Sequence, residues 1–385
     1  MATTTDRFQW TRYNMPFIYT ISDEILANSD LKVLIGLPLT WETLCLIDAI
    51  RHKNPNITVI PQSSGKNSSL EPGVFAYLDK WGIDYIKTAT EESRIEALKQ
   101  KPDIIFDCAF ALVGTAIKNE LLDSKTIIVE QTKTGENALD SHSLKNPIVI
   151  LDNSSFKREY ENKEAVGYSV IVALKSMGIY LPRYTVGVIG YGYVGMGLAK
   201  YAKSSGAKVL ICEPNPIKRS EASKLYPVVD KDELLHEADI IITATGHRNI
   251  ITKADIASLN KTLMVANAGG EDEWDREEMF KDTGSVKIHE YITQYKVGQC
   301  TLWEVCGGNS VNLVTEVSLS EFLDITFSHL ISVLAQLEKI ELAPGKNELS
   351  LFDTTALESR IKAAGWLEDI DAGSLEQAKE KLLNV

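Results

Sequence analysis

Three glycines, Gly190, Gly192 and Gly195, follow the spacing G-x-G-x-x-G in a segment that reads G-Y-G-Y-V-G. This spacing is typical of the turn that holds the pyrophosphate of a dinucleotide. The first glycine allows a tight turn, the second lets the backbone approach the phosphates, and the third lets the following helix pack closely on its strand. Tyr193 and Val194 complete the turn, so the pattern predicts that all five residues contact a dinucleotide.

The elements around this turn are those that the motif requires. A strand-like run, Thr185–Ile189, precedes it, and an amphipathic segment at 194–204 follows it. The next strand-like run, Lys208–Cys212, leads directly to Glu213. A carboxylate there would accept hydrogen bonds from the adenosine ribose hydroxyls and repel a 2′-phosphate, so the sequence predicts NAD rather than NADP.

Two further loops are predicted to belong to the same site. Thr245 and Gly246 follow one apolar run, and Asn267 follows the next. Both loops come at the C-terminal ends of predicted strands, where an open α/β sheet binds its ligand. His247 adjoins the first loop, and its position is compatible with a place in solvent or beside the nicotinamide.

The alternation of short apolar runs and amphipathic segments predicts an α/β fold with two Rossmann-like, doubly wound parallel sheets and a helical C-terminal tail. A chain of 385 residues is too long for one compact core. The first array begins at 32–35 and the second at Thr185–Ile189, with a long bridging helix predicted at 155–178. The predicted domains are a substrate domain at 1–154, completed by about 317–350, an NAD domain at 155–316, and a tail at 351–385.

Charge and composition exclude several classes of protein. The net charge of −13 leaves no basic surplus to displace counterions, so we expect no nucleic-acid partner. No run approaches the roughly 18 apolar residues of a membrane span, and the N-terminal segment lacks the apolar core of a signal peptide. The five cysteines are odd in number and lack metal-ligand spacing, which indicates reduced thiols, no bound metal and a cytoplasmic protein.

In these motifs the chain resembles the S-adenosylhomocysteine hydrolase family, which keeps NAD bound and oxidises its nucleoside transiently. Residues 190–197, G-Y-G-Y-V-G-M-G, are similar to that family's GYGDVGKG, with Tyr193 in place of Asp. Residues 152–162, D-N-S-S-F-K-R-E-Y-E-N, resemble N-D-S-V-T-K-S-K-F-D-N. Residues 131–135, Q-T-K-T-G, resemble E-T-T-T-G, and residues 37–43, L-P-L-T-W-E-T, resemble L-H-M-T-V-[QE]-T.

The resemblance implies an NAD-dependent enzyme that oxidises the ribose 3′-hydroxyl of a nucleoside-like substrate. Lys157 and Glu161 match the family's proton-transfer pair. Asp107 matches an aspartate that would assist removal of the C4′ proton, and Asn162 would orient hydroxyls. The residues implied in substrate binding are Leu37, Thr40, Glu42, Thr43, Gln131 and Thr132.

Plainer interpretations of the same residues stay open. On spacing alone, Lys157 and Glu161 are also compatible with a solvent-exposed i,i+4 ion pair on a helix. Burial would lower the pKa of Lys157, whereas the nearby carboxylate would raise it. Thr40, Glu42 and Thr43 are compatible with a helix N-cap and first turn as well as with ligand contact.

The likeness to the family fails at three positions that bear on the chemistry. Family histidines that help to move protons during cleavage at C5′ are matched here by Pro38, Gly270 and Asn309, none of which can act as a general acid or base. We therefore expect oxidation of the sugar to be retained, with elimination, addition or isomerisation to follow.

Other functions stay open at this point. They are a conventional NAD-dependent dehydrogenase of a small hydroxy compound, a catalytically silent NAD-binding regulator, and a true hydrolase that uses another histidine such as His247. The resemblance also implies a homo-oligomer, either a dimer or a tetramer.

Overall fold

The computed structural model describes residues 4–62, 72–270, 272–315, 317 and 319–364. The first of two sheets consists of β1 (Val33–Ile35), β2 (Ile57–Val59), β3 (Asp84–Tyr85), β4 (Ile104–Asp107), β5 (Ile127–Glu130), β6 (Pro147–Ile150) and, from late in the chain, β14 (Gly345–Asn347). These strands are parallel and have the order β14-β6-β5-β4-β1-β2-β3. Their carboxyl ends therefore meet at one edge of the sheet.

The second sheet consists of β7 (Thr185–Ile189), β8 (Lys208–Cys212), β9 (Ile240–Thr243), β10 (Thr262–Asn267), β11 (Ser285–His289), β12 (Ile292–Val297) and β13 (Cys300–Val305). Its order is β11-β12-β13-β10-β9-β7-β8. Strands β8, β7, β9, β10 and β13 are parallel, whereas β12 is antiparallel to both of its neighbours. The predicted α/β fold with two Rossmann-like sheets is confirmed, with an antiparallel edge that the sequence pattern did not indicate.

Helices cover the faces of both sheets. The α-helices are α1 (Thr4–Tyr13), α2 (Pro16–Ile25), α3 (Trp41–Arg51), α4 (Pro72–Trp81), α5 (Glu91–Leu98), α6 (Ala111–Lys118), α7 (Lys133–Leu139), α8 (Gly167–Ser176), α9 (Tyr193–Ser204), α10 (Pro216–Ser223), α11 (Lys231–Glu237), α12 (Lys253–Ile256), α13 (Arg276–Phe280), α14 (Val311–Val314), α15 (Ser320–Leu334) and α16 (Thr355–Ala363). A π-helix, Phe156–Val166, runs directly into α8, so the predicted bridging helix at 155–178 is present. Within the described residues, no helix is both long and apolar enough to span a bilayer.

The chain returns to the first sheet after it has completed the second. Helix α15 contributes Ile325, Leu330 and Ile331 to the apolar core beneath the first sheet, and α16 adds Leu357 and Ile361. The Asp324 carboxylate on α15 accepts hydrogen bonds from the backbone of α2 at its first turn. Of the predicted tail, residues 365–385 lie outside the described part of the chain.

The bridging helix crosses α9 at two glycines. A Cβ at Gly197 would overlap the carbonyl oxygen of Lys163, and a Cβ at Gly167 would lie 2.8 Å from the backbone nitrogen of Leu198. Side chains are therefore excluded from this crossing, and the two helix backbones are in direct contact. This contact joins the segment that carries Lys157 to the helix that follows the dinucleotide turn.

We expect Gly197→Ala to lower the free energy of unfolding by about 1–3 kcal/mol, because the added methyl group must force two backbones apart. Gly284→Ala is the matched control, since a Cβ there has no atom within 4 Å, and its effect should stay within about 0.5 kcal/mol. Urea unfolding followed by circular dichroism measures both variants. If Gly197→Ala and Gly284→Ala unfold at the same urea concentration, the helix crossing tolerates a side chain.

Candidate active site

The three glycines of the dinucleotide turn occupy three different environments. Gly190 has a φ of +95°, and a Cβ there would lie 2.7 Å from the carbonyl oxygen of Ala244. A Cβ at Gly195 would overlap the carbonyl oxygen of Gly190. A Cβ at Gly192 would instead have only Lys218 Nζ within 4 Å, at 3.8 Å. The fold therefore requires the first and third glycines, whereas the second faces open space in front of the turn.

The open space in front of Gly192 has the donors that a dinucleotide needs. Helix α9 starts at Tyr193, and no side chain in the described part of the chain caps its N-terminus, so its leading amides are available to phosphate oxygens. At the end of the neighbouring strand β8, Glu213 accepts hydrogen bonds from the backbone of Tyr191 (2.6 Å) and Asn215 (2.8 Å). Each carboxylate oxygen accepts one of these bonds and retains capacity for a ribose hydroxyl.

The loop after β9 is held by a carboxylate that sequence reasoning missed. The buried Glu273 accepts hydrogen bonds from the Thr245 amide (2.8 Å), the Thr245 hydroxyl (2.7 Å) and the Gly246 amide (2.9 Å). Burial raises its pKa, and these hydrogen bonds oppose that shift. Asn267 organises the next loop, where its side chain accepts from the Gly269 amide and donates to the Gly308 carbonyl. Both predicted loops therefore lie at the edge that carries the glycine turn.

The first sheet carries a buried ion pair at its carboxyl edge. Lys157 is 5% exposed, and its ammonium group contacts the Oε1 atom of Glu161. The second oxygen of Glu161, Oε2, is buried and has no hydrogen-bond partner among the described residues. Burial opposes the charged lysine, but the carboxylates of Glu161 and Asp152 outweigh it and raise the pKa of Lys157. The structure therefore excludes a solvent-exposed pair and favours a protonated lysine.

The π-helix places Asn162 on the same helix face as this pair. Its hydrogen bonds connect residues five positions apart, so residues four and five positions after Lys157 share its face. Asn162 donates to the buried Asp152 carboxylate at 3.0 Å.

Gln131, which follows the neighbouring strand β5, is also buried, and its Nε2 atom has no partner in the described part of the chain.

Asp107 has a structural role in this geometry. Its carboxylate is fully buried and accepts hydrogen bonds from the backbone of Cys108, Leu112 and Val113 at 2.8–3.0 Å, which fixes the start of α6. Burial and the nearby Glu130 carboxylate raise the pKa of Asp107 to about 7. The proton-transfer role inferred from the family stays a prediction that these contacts do not favour.

Several predicted substrate residues are engaged in helix caps. Thr132 caps α7 by accepting from the Gly135 amide, and it also donates to Glu130. Thr40 caps α3, and the Thr43 hydroxyl donates to the Pro38 carbonyl at 2.6 Å. Two other residues of this group are buried: Leu37 lies in the core, and Glu42 accepts from the Ser320 hydroxyl at 2.9 Å. The capping interpretation of Thr40 and Thr43 is thus observed, and ligand contact stays a prediction.

Comparison with known proteins gives a consistent result. The family model described as S-adenosyl-L-homocysteine hydrolase, NAD binding domain, matches residues 166–319. The chain is 28% identical over 367 residues to the S-inosyl-L-homocysteine hydrolase of Methanopyrus kandleri, covering 88% of this chain and 85% of that protein. It is 27% identical over 361 residues to the adenosylhomocysteinase of Sulfolobus acidocaldarius, covering 86% of each.

Residues 166–319 thus match the NAD-binding domain of the S-adenosylhomocysteine hydrolase family, and most of the chain is similar, at 27–28% identity, to hydrolases of that type. The chain is an NAD-dependent enzyme of this type, and the predicted cofactor, NAD, is confirmed by the family model. The uncapped α9, the open face of Gly192 and the position of Glu213 fit this cofactor. The residues that would hold it are those of the turn, Glu213, and the loops at Thr245 and Asn267.

We expect Glu273→Gln to weaken NAD binding on the order of 10-fold, because an amide cannot accept all three hydrogen bonds that hold the Thr245 loop. Glu277→Gln provides the control, since Glu277 is exposed on the nearby α13. Calorimetric titration of cofactor-free protein with NAD measures both variants. If Glu273→Gln binds NAD as tightly as Glu277→Gln, the loop does not depend on this carboxylate.

The family's missing histidines are not replaced at their own positions. Asn309 donates to the Cys306 carbonyl, and a Cβ at Gly270 would lie 3.4 Å from the Thr134 hydroxyl, where the loop after β10 meets the first turn of α7. His247 is exposed beside the Thr245 loop. Sequence reasoning missed His329 on α15, which is buried against the ring of Phe156, and burial lowers its pKa to about 4. It is therefore neutral near pH 7.

Proposed function

We propose that this enzyme uses bound NAD to oxidise the ribose 3′-hydroxyl of a nucleoside-like substrate transiently, and that Lys157 and Glu161 move the hydroxyl proton. The observation that carries the proposal is the unpartnered oxygen of Glu161. Its Oε1 atom is held by Lys157, whereas the buried Oε2 atom receives no hydrogen bond from any described residue. A buried carboxylate oxygen without a donor is costly, and a substrate hydroxyl is a donor of the required kind.

NAD, when bound, supplies the acceptor for the hydrogen on the hydroxyl-bearing carbon. The protein has to supply a place for the hydroxyl proton. A protonated Lys157 cannot accept it, so Glu161 Oε2 is the acceptor in the oxidative direction. When the ketone is reduced again, the protonated Glu161 returns the proton to the sugar oxygen by the reverse of this step, and the ammonium group of Lys157 stabilises the carboxylate that is left.

Gln131 supports a sugar as the group that is bound. Its buried Nε2 atom is a donor without a partner among the described residues, whereas Glu161 Oε2 is an acceptor without one. Gln131 follows β5, and Glu161 comes after β6 in the chain. Because β5 and β6 are neighbouring parallel strands, their carboxyl ends lie side by side at one edge of the first sheet. Neighbouring ribose hydroxyls can donate to one of these groups and accept from the other.

The substrate class follows from the names of the relatives. One is an S-inosyl-L-homocysteine hydrolase and another an adenosylhomocysteinase, so we propose a purine nucleoside with a substituent at C5′. A ketone at C3′ makes the neighbouring C4′ hydrogen acidic. Because Pro38, Gly270 and Asn309 cannot move protons, elimination, addition or isomerisation at the sugar would need another proton donor.

The test is incubation of the purified holoenzyme with S-inosylhomocysteine, S-adenosylhomocysteine, inosine and adenosine, each separately. Chromatography would follow the nucleoside, and absorbance would follow the reduced cofactor. We expect one nucleoside to be converted while reduced cofactor stays enzyme-bound and does not accumulate with product. Accumulation of free NADH in proportion to product would identify a conventional dehydrogenase, and no reduction with any nucleoside would contradict the proposal.

A further inference from the structure

Arg158 connects the two halves of the site. Its Nε atom donates to the Asp152 carbonyl at 2.9 Å, and its Nη2 atom donates to the Asn153 side chain. On its other side, the Cζ atom lies 5.8 Å from the centre of the Tyr193 ring, a distance within the range of cation–π contacts. Tyr193 is the first residue of α9. One side chain therefore spans from the loop before Lys157 to the start of the dinucleotide helix.

The charge of Arg158 is not neutralised by a described carboxylate. No ion pair of Arg158 occurs among the described residues, where its partners are a carbonyl, an amide oxygen and an aromatic ring. Its Nη1 atom makes no hydrogen bond within the same set of residues. A half-buried guanidinium group beside an uncapped helix N-terminus has both the charge and the free N–H donors that phosphate oxygens bind.

Both residues of this contact depart from the family motifs with which the chain aligns. The pattern K-S-K-F-D-N has serine at the position of Arg158, and GYGDVGKG has aspartate at the position of Tyr193. A serine and an aspartate cannot make a cation–π contact. A serine also lacks the guanidinium group with which Arg158 donates to the Asp152 carbonyl. The contact between Arg158 and Tyr193 is therefore a feature of this chain that those two motifs do not contain.

We propose that Arg158 and Tyr193 form a cofactor-dependent clamp. When NAD binds at the N-terminus of α9, the phosphate charge of NAD attracts the guanidinium group of Arg158, which also packs on the Tyr193 ring. The hydrogen bonds from Arg158 to Asp152 and Asn153 then fix the loop before Lys157. The Lys157–Glu161 pair is then positioned by cofactor occupancy. Arg158 is a positioning residue in this scheme, which deepens the proposed function but depends only on NAD binding.

The experiment uses the full-length protein, with and without NAD, and no nucleoside. Calorimetry gives the NAD dissociation constant, and hydrogen–deuterium exchange gives the protection of residues 152–162 and 190–197. In the wild type we expect NAD to slow exchange in both segments. In Arg158→Gln we expect the dissociation constant to rise on the order of 10-fold, with protection by NAD retained at 190–197 and lost at 152–162.

Further variants distinguish a specific loss of the clamp from a general loss of protein stability. Tyr193→Phe keeps the aromatic ring and should retain the protection of residues 152–162 by NAD, whereas Tyr193→Leu should lose that protection. Arg158→Lys keeps the charge but not the fork of donors, so it should bind NAD with a smaller loss and still fail to protect the loop. Lys163→Gln removes a cation from the same helix, where it pairs with Glu159, and should change neither segment.

Two results would overturn the clamp. One is a wild-type protein in which NAD leaves exchange at 152–162 unchanged, and the other is an Arg158→Gln protein in which NAD still protects that segment. If Arg158→Gln does not fold, Arg158→Lys and Tyr193→Leu decide in the same way. Failure of every nucleoside to be oxidised would contradict the proposed function but would leave these NAD measurements intact, so the two failures are distinguishable.

Discussion

Replacing Lys157 with methionine is expected to lower the rate of substrate oxidation by about 10²- to 10⁴-fold, the usual contribution of a positioned proton-transfer group. NAD content should stay unchanged, because the ion-pair partner of Lys157 is Glu161 and not a residue of the dinucleotide turn. Rapid mixing with a nucleoside, followed by the absorbance of enzyme-bound reduced cofactor, measures the rate. Lys163→Met is the matched control, since Lys163 and Glu159 form an i,i+4 pair on the same helix that is more exposed, at 21% and 24%, than the pair of Lys157 and Glu161.

A loss of stability has to be separated from this loss of chemistry. Removing Lys157 leaves the largely buried Glu161 carboxylate without its cation, which typically costs about 3–5 kcal/mol. The double variant Lys157→Met with Glu161→Gln removes both charges and should recover much of that stability while staying inactive. Activity that returns with stability would show that the pair is structural.

Replacing Gly192 with valine is expected to weaken NAD binding by about 10- to 100-fold, the equivalent of roughly 1–3 kcal/mol of steric conflict. The protein should fold normally, because a Cβ at Gly192 would have only Lys218 Nζ within 4 Å, and its extended backbone accommodates any residue. Calorimetry with NAD and thermal unfolding of the cofactor-free protein measure the two effects separately.

Gly195→Ala provides the contrasting case within the same turn. Its Cβ would overlap the Gly190 carbonyl, so we expect destabilisation by about 1–3 kcal/mol even without cofactor. If Gly192→Val lowers the stability of the cofactor-free protein as much as Gly195→Ala does, the open face at Gly192 is occupied by protein. If it leaves NAD binding unchanged, the cofactor does not approach that glycine.

The dinucleotide turn could be predicted from the sequence because its signal is local. The parts of the turn lie close together in the chain: a strand, three glycines, a helix and Glu213. Each of them is required by one physical feature of dinucleotide binding. Glu273 could not be predicted in the same way. It lies 28 residues from the Thr245 loop that it holds, and nothing in its own neighbourhood indicates that contact.

Lys157 and Asp107 show the limit of motif matching. Sequence spacing placed Lys157 beside Glu161 but left the direction of the lysine's pKa shift open. Burial lowers the pKa of a lysine and a nearby carboxylate raises it, so only the three-dimensional structure decides which effect is larger. For Asp107 the motif suggested chemistry, whereas three backbone hydrogen bonds give it a structural role. The burial of His329 was equally hidden, because a single histidine on an apolar helix has no distinguishing pattern.

The central claim is that the substrate's sugar is oxidised by the resident cofactor, and the most direct test follows the hydrogen that moves. The holoenzyme would be incubated with S-inosylhomocysteine or S-adenosylhomocysteine carrying deuterium at C3′, then denatured, and the released cofactor analysed by mass spectrometry. We predict reduced cofactor that carries the deuterium in the wild type, and far less of it in Lys157→Met at the same early time point. Released NAD that stays oxidised, or reduced cofactor without deuterium, would contradict the account.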